Sequence, residues 1–172
     1  MPQTTRSDES AGNAQPPEWE LVWVWKEFHH LTSHEVYEML RFRQEVFVVE
    51  QNCPFAEIDG RDRNAWHLFG VSATGECVGY LRLLPPEVGG NGLSLGRVIV
   101  RQAARRAGLG RQLMQEGLRR AREAYPGHAI RLFAQQHLEP FYAALGFQTD
   151  GPMYLEDGIP HVPMLCPPEG GT

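Results

Sequence analysis

Nowhere in the 172 residues does an apolar run approach the roughly 20 residues that a bilayer-spanning helix needs. The opening stretch MPQTTRSDESAGNAQPPEWE also lacks the apolar core of a secretory signal, so neither membrane nor export is expected. Residues 1–17 read instead as a polar, disordered leader. Cysteine is scarce. Cys53, Cys77 and Cys166 form no CxxC pair and no metal-ligand spacing, which suits a reducing cytoplasm. His29, His30 and His34 sit close together, but no cysteine or carboxylate completes a ligand set in sequence, and no metal site is read. The net charge of −5 argues against nucleic acid as a partner. Internal repeats and low-complexity linkers are absent from residues 18–166.

What is present is an ordinary globular balance, 42% hydrophobic and 10% aromatic, enough for one domain with a real core over 18–166 and a flexible tail at 167–172. LVWVWKEF (21–28) alternates like a strand. In LTSHEVYEMLRFRQEVFVVE, Thr32 and Glu35 fit a capping box, and Val36, Leu40 and Phe47 recur at helical spacing. AWHLFGVSA and ECVGYLRLL read as two strands joined at Thr74-Gly75. PPEVGGNG reads as a connector and LSLGRVIV as a strand, followed by a helix from Gly110 to about Ala124. HAIRLFAQ is a strand, LEPFYAALGF a short helix, and PMYLEDGIPHVPML a terminal hairpin-like pair. The order β-α-β-β-β-α-β-α-β-β predicts an α/β (α+β) domain: a mixed, mostly antiparallel sheet of about six to seven strands flanked by helices.

Charge is unevenly spread: seven of the sixteen basic residues lie between Arg101 and Arg122. Arg105-Arg106-Ala107-Gly108-Leu109-Gly110-Arg111 follows a strand and opens a helix. A helix N-terminus offers free N–H groups and partial positive charge, glycines allow close backbone approach, and arginines add charge-assisted bonds. These are the ingredients of an anion loop. It is neither a Walker A loop, for no Gly-Lys-Ser/Thr follows, nor a dinucleotide fingerprint. Taken alone, the stretch suits a solvated turn equally well. The Arg119-Arg120-Arg122 run reads as a solvated helix face.

The pattern R-x-x-G-x-G between strand and helix resembles motif A of the GNAT superfamily, the acetyl-CoA-dependent N-acetyltransferases. Downstream, LEPFYAALGF is similar to the F-Y-x-x-x-G-F helix of the same family. RFRQEVFVVEQNCPFAEIDGRD, LGRVIV and YLEDGIPHVPM resemble the ElaA-like branch, so the likeness covers roughly residues 20–165. It implies a single GNAT-like domain with acetyl-CoA as co-substrate. It further implies a splayed fourth strand at Arg97, Val98, Ile99 and Val100, with Val98 and Val100 making backbone contacts to the thioester and pantetheine. The pyrophosphate would lie on Arg105, Arg106, Ala107, Gly108, Gly110 and Arg111, with Leu109 packed inward. Tyr142 stands at the family's Tyr position as proton donor to the leaving thiolate. Where many relatives have Asn, seven residues earlier, this chain has Gln135, which can still bond the pantetheine.

The base is less defined. Glu50, Glu57, Asp59, Asp62, His67, His137, Glu156, Asp157 and His161 all qualify by chemistry, and Glu50 and His161 lie in the stretches peculiar to the branch. Asp157-Gly158 also suits a plain turn, and Cys53 a packed thiol. The resulting expectation is a cytoplasmic N-acetyltransferase acting on a small-molecule or peptide amine by direct attack. A sheet edge or the terminal hairpin could pair with a second copy. Two rivals stay open: a non-enzymatic acyl-CoA-binding module, and a nucleic-acid binder using the arginine cluster.

Overall fold

The computed structural model describes residues 20–90 and 92–169. The leader 1–17 lies outside them. Of the tail, residues 167–169 are described, and Glu169 pairs with Arg122 at 2.7 Å.

Alternating aromatic and aliphatic residues build the first strand, β1 (Leu21–Glu27), which pairs antiparallel with β2 (Trp66–Ser72). A tight turn, with Gly75 at φ +84, returns the chain as β3 (Cys77–Leu84), and β4 (Leu93–Val100) pairs antiparallel with β3. Between β1 and β2 runs α1 (Ser33–Arg43), begun by the predicted capping box: Thr32 Oγ1 accepts from the Glu35 N–H, and the Thr32 N–H donates to the Glu35 carboxylate. The helix widens into π-type turns over Gln44–Glu50. The connector before β4 holds a one-turn helix, α2 (Pro86–Gly89), with proline at its start where a missing N–H costs nothing.

Beyond β4 come α3 (Leu109–Ala124), β5 (Ile130–Gln135), α4 (Glu139–Ala143), β6 (Gln148–Thr149), β7 (Tyr154–Glu156) and β8 (Ile159–Cys166). The sheet order is β1-β2-β3-β4-β5-β8-β6, with β7 also on β8, and every pair but β4–β5 is antiparallel. The expected mixed, mostly antiparallel architecture is what the chain adopts, with eight strands because the two-residue β6 joins the edge.

The parallel pair is the exception that shapes the molecule. β4 and β5 are in register only at Leu93 with Ile130 and Ser94 with Arg131. Further along, Tyr80 pairs with Ile99 but Arg82 with Gly96, so Leu81 faces both Arg97 and Val98. This is a β-bulge, and Arg97 at its corner has φ +54. A bulge bends its strand, and β4 stops pairing with β5 after Ser94, three residues before Arg97.

Helices cover the two faces unequally. Met39, Phe42 and Val46 pack with Phe69, Tyr80 and Ile99 on one face of β2–β4. On the other, Leu113, Met114, Leu118 and Ala121 of α3 join Leu68, Leu81, Leu95, Leu132 and Ala134 in the main core. Gly117 sits at closest approach; a Cβ there would come within 2.6 Å of the Leu81 side chain. Since Leu132 and Ala134 face α3, strand alternation turns Arg131, Phe133 and Gln135 to the face that carries α1. The α1 cluster includes no residue of β5 or β8, and Phe133 is 46% exposed. No helix among the described residues is long and apolar enough to cross a membrane.

Candidate active site

The parted ends of β4 and β5 leave a gap whose floor and rim carry most of the residues singled out in the sequence. The Arg101 N–H donates to the Val78 carbonyl at 2.9 Å, which closes the β3–β4 ladder. By alternation Ile99 turns its backbone toward β3, while Val98 and Val100 turn theirs into the gap. The Val100 carbonyl accordingly accepts from Arg105 Nε at 2.9 Å.

At the rim, the loop 101–108 ends in two left-handed residues, Arg106 (φ +72) and Gly108 (φ +77), and α3 begins at once. The N–H groups of Arg106, Ala107, Gly108, Leu109 and Gly110 have no hydrogen-bond partner among the described residues. Five neighbouring donors at a helix head have the chemistry to hold an anion. Arg106 and Arg111 are exposed beside it and make no ion pair among the described residues. Leu109 is buried against Val78 and Ala104 and anchors the loop.

Arg105 is differently engaged. Its guanidinium lies on both carboxylate oxygens of Glu50, with Nη2 to Oε2 at 2.9 Å. The next residue, Gln51, accepts from Gln135 Nε2 at 3.3 Å. Residues 50–51 therefore join the loop after β4 to the last residue of β5, straddling the mouth of the gap. Three expected site residues, Glu50, Arg105 and Gln135, meet here.

Tyr142 stands on the α3 side. Its ring packs edge-on against Phe141 and Phe147, at 5.0 and 6.1 Å between centroids, and only 7% of the residue is exposed. Its hydroxyl makes no hydrogen bond to any described residue. Burial pushes its pKa up to about 12, which keeps the phenol protonated at neutral pH.

His161 stands on the other face, opposite Gln135 across β5–β8. Its Nδ1 is 2.9 Å from the Ile159 carbonyl, which only accepts, so Nδ1 bears the proton and the neutral ring keeps a lone pair on Nε2. Glu156 Oε2 lies 3.9 Å from Nε2. Tyr154 packs between His161 and Phe133, at 5.9 and 6.2 Å, and burial together with Glu156 raises its pKa to about 12.

Several other acids are already committed. Arg43, fully buried, donates to Glu57 at 2.8 Å and to Asp62 at 2.6 Å; Arg82 donates to Asp62 and to both oxygens of Asp59. Arg97 does not enter the gap with its side chain: it bonds Glu57 Oε1 at 2.7 Å and the Glu57 carbonyl at 3.0 Å. Burial raises the pKa of Asp59 and Asp62, but the arginine hydrogen bonds outweigh it and hold both below the ordinary carboxylate range. His67 is buried, donating from Nε2 to the Asp62 carbonyl at 3.0 Å and accepting from the Tyr80 hydroxyl at 2.8 Å; burial lowers its pKa to about 4. These groups hold structure. His137 is exposed, and Asp157 has φ +50 in the β7–β8 turn.

The ionic network escaped sequence reading although it left a trace. Arg43 and Arg82 interrupt the apolar patterns of α1 and β3, and a charge at a core position requires a buried partner. One correction concerns His29 and His30: the turn after β1 does bring a carboxylate to them, with Glu27 Oε2 3.2 Å from His29 Nε2. The group lies at the opposite end of the sheet from the gap. Arg119 and Arg120 pair with Glu116 on the solvent side of α3.

A family model described as an acetyltransferase (GNAT) domain matches residues 27–167. The chain is 39% identical over 153 residues to a UPF0039 protein of Synechocystis, covering 88% of this chain and 99% of that one. It is 40% identical over 144 residues to protein ElaA of Escherichia coli, covering 81% and 94%. A crystal structure of an acyl-CoA N-acyltransferase from Pseudomonas aeruginosa superimposes with a TM-score of 0.81 at 41% identity, over 85% of this chain and 99% of that one.

Proposed function

The chain belongs to the GNAT acetyltransferase family as a relative of ElaA, and from that premise we propose that it moves an acetyl group from acetyl-CoA to a primary amine within a ternary complex. The observation that carries this reading is the run of five unpartnered N–H groups, 106–110, at the head of α3 beside a strand that parts from its neighbour. A diphosphate suits that cradle. Hydrogen bonds to a charged group contribute about 1.5–3 kcal/mol each, and the exposed Arg106 and Arg111 add charge.

Acetyl-CoA supplies the activated thioester. Val98 and Val100 hold the pantetheine arm and the thioester carbonyl through backbone groups turned into the gap, with Arg97 and Ile99 keeping that stretch of β4 in shape. Ala107, Gly108, Leu109 and Gly110 contribute N–H groups to the diphosphate, and Gln135 holds the arm from the β5 side. Arg105 joins once its guanidinium exchanges Glu50 for the diphosphate.

His161 Nε2 takes the amine proton, with Glu156 Oε2 3.9 Å away beside the resulting imidazolium. The amine nitrogen forms its bond to the acetyl carbon as the carbon–sulfur bond breaks. Tyr142 gives its proton to the departing sulfur. Solvent then carries the proton from His161 back to Tyr142, and the net products are an amide and a free thiol. Glu50, with both oxygens on Arg105, acts at the cofactor rim, and the base role falls to His161.

Thiol release from acetyl-CoA over a panel of amines tests the reading. Tyr142→Phe is expected to lower kcat about a hundredfold while the calorimetric Kd for coenzyme A stays within about threefold. An unchanged kcat removes Tyr142 from the chemistry. Coenzyme A binding without thiol release for any amine replaces the enzyme by a non-enzymatic acyl-CoA-binding module.

A further inference from the structure

The open face of the sheet beyond β4 points to a substrate class for the acceptor side. Phe133 of β5 and Pro163 of β8 are cross-strand partners, as are Gln135 and His161, and Tyr154 of β7 pairs with His161. Paired residues share a face, and Glu156 lies two residues from Tyr154, so these side chains stand on one surface. It adjoins the gap between β4 and β5 from the side opposite Tyr142. The buried cluster of the α1 helix lies against β2–β4 on this face and, among the described residues, includes none of β5 or β8. Phe133 is left nearly half exposed, flanked by the edge of Tyr154 at 6.2 Å, with a carboxylate and an imidazole at the end nearest the gap.

Charge decides between kinds of amine. A polycationic acceptor, such as a polyamine or an aminoglycoside, needs several free carboxylates around it. Here Glu57, Asp59 and Asp62 are matched by Arg43, Arg82 and Arg97, and Asp150 by Arg131 at 3.2 Å. Three acids against three arginines leave the loop side of the gap with no net attraction for cations. On the face shared with Tyr154 and His161, Glu156, more than half exposed, is the carboxylate with no lysine or arginine partner among the described residues. Asp157 follows it in the turn, and Glu50, held by Arg105, stands at the mouth of the gap. One ammonium can be recognised at Glu156, and what continues from it lies on an aromatic surface.

We infer that the acceptor is a monoamine carrying an aromatic or branched apolar group, its amine held between Glu156 and His161 and its apolar group on Phe133, Tyr154 and Pro163. This rests on the acetyl-transfer reading for the chemistry, but the subsite itself can be tested without turnover. Burying an aromatic group on such a surface gains about 25 cal/mol for each Å² removed from water, enough to separate classes of amine by tenfold or more.

Initial rates of thiol release with 2-phenylethylamine, isopentylamine, spermidine and kanamycin at saturating acetyl-CoA form the first arm. A kcat/KM at least about tenfold higher for the two apolar monoamines is expected; equal or higher values for spermidine or kanamycin overturn the inference. Phe133→Ala, at an exposed site, should raise the KM for 2-phenylethylamine about tenfold, and Phe133→Leu should recover part of it. The second arm is calorimetric titration of 2-phenylethylamine into the protein saturated with coenzyme A. Saturable binding that Phe133→Ala weakens supports the subsite even if no amine is acetylated. Absent binding, or binding equal in the variant, overturns it whatever the catalytic result.

Discussion

Replacing Glu50 by glutamine should tighten coenzyme A binding, although the residue lies among those the cofactor would meet. The carboxylate holds Arg105 through both oxygens, so a diphosphate gains that guanidinium only by displacing an existing partner. Side-chain exposures of 37% and 39% place the pair in the screened regime, where an ion pair is worth up to about 1 kcal/mol. Glutamine keeps the shape and removes the charge, so the affinity gain is bounded at about fivefold. The free guanidinium should also make binding more salt-sensitive, because an additional exposed charge now meets the phosphates directly. Calorimetry with coenzyme A at about 50 mM and about 300 mM salt, ionic strengths that screen such contacts very differently, reads both effects. In the background of Arg105→Ala the gain from Glu50→Gln should vanish, since the two residues act through one contact. Weaker binding in the single variant would refute the reasoning: it would make the carboxylate a positioning group for Arg105 rather than a competitor for it.

Acidification should destabilise the protein through His67. Its folded pKa of about 4 lies below the ordinary 6.5, so between those values the unfolded chain binds a proton that the folded chain refuses. Stability is therefore full above pH 6.5 and falls as pH falls, by on the order of 3 kcal/mol by pH 4. Denaturant midpoints from pH 7.5 to 4.5 check this, with His67→Gln flattening the profile; a flat wild-type profile would contradict it. Arg43→Leu should cost about 3–5 kcal/mol, because it removes one of the two arginines that neutralise each of Glu57 and Asp62 in a buried site. Urea unfolding measures that loss, and a cost below about 1 kcal/mol would show that Arg82 and Arg97 suffice for both acids.

The strand, turn and helix on the β4 side of the gap were legible because these features are local. A strand, a Gly-containing turn and an amphipathic helix occupy consecutive residues from 93 to 124, and each is encoded by spacing within a few positions. The capping box of α1 was legible for the same reason. The destinations of long charged side chains were not. Glu50 and Arg105 are 55 positions apart, Glu57 and Arg97 40, and nothing in a spacing pattern links them. Glu57, Asp59, Asp62 and His67 accordingly looked available as bases when each was already bonded in the fold. The bulge at Arg97 was hidden too, since a left-handed arginine has no propensity signature where a glycine would have announced itself. Two-residue β6 is shorter than any alternation that could reveal it.

The two walls of the gap answer to different constraints. On the β4 side, a non-glycine residue held at φ +54 costs on the order of 1–2 kcal/mol, and the structure must supply that from elsewhere. Arg97 is secured by the Glu57 carboxylate and carbonyl, Glu57 by Arg43, and Arg43 through Asp62 by Arg82. The bend that opens the gap is thus tied to α1, to β3 and to the loop that carries residues 57–62. A substitution in that loop reaches the strand whose backbone turns into the gap, so on the proposed function the loop has little freedom to vary with the acceptor. The β7–β8 hairpin has no such burden: among the described residues β7 is paired with β8 alone, and the side chains of Tyr154, Glu156 and His161 bond only within the hairpin. Changing those side chains, or Phe133 beside them, alters what an amine meets without disturbing the bulge. Specificity can therefore change on the β5–β8 wall while the β4 wall keeps the geometry of transfer.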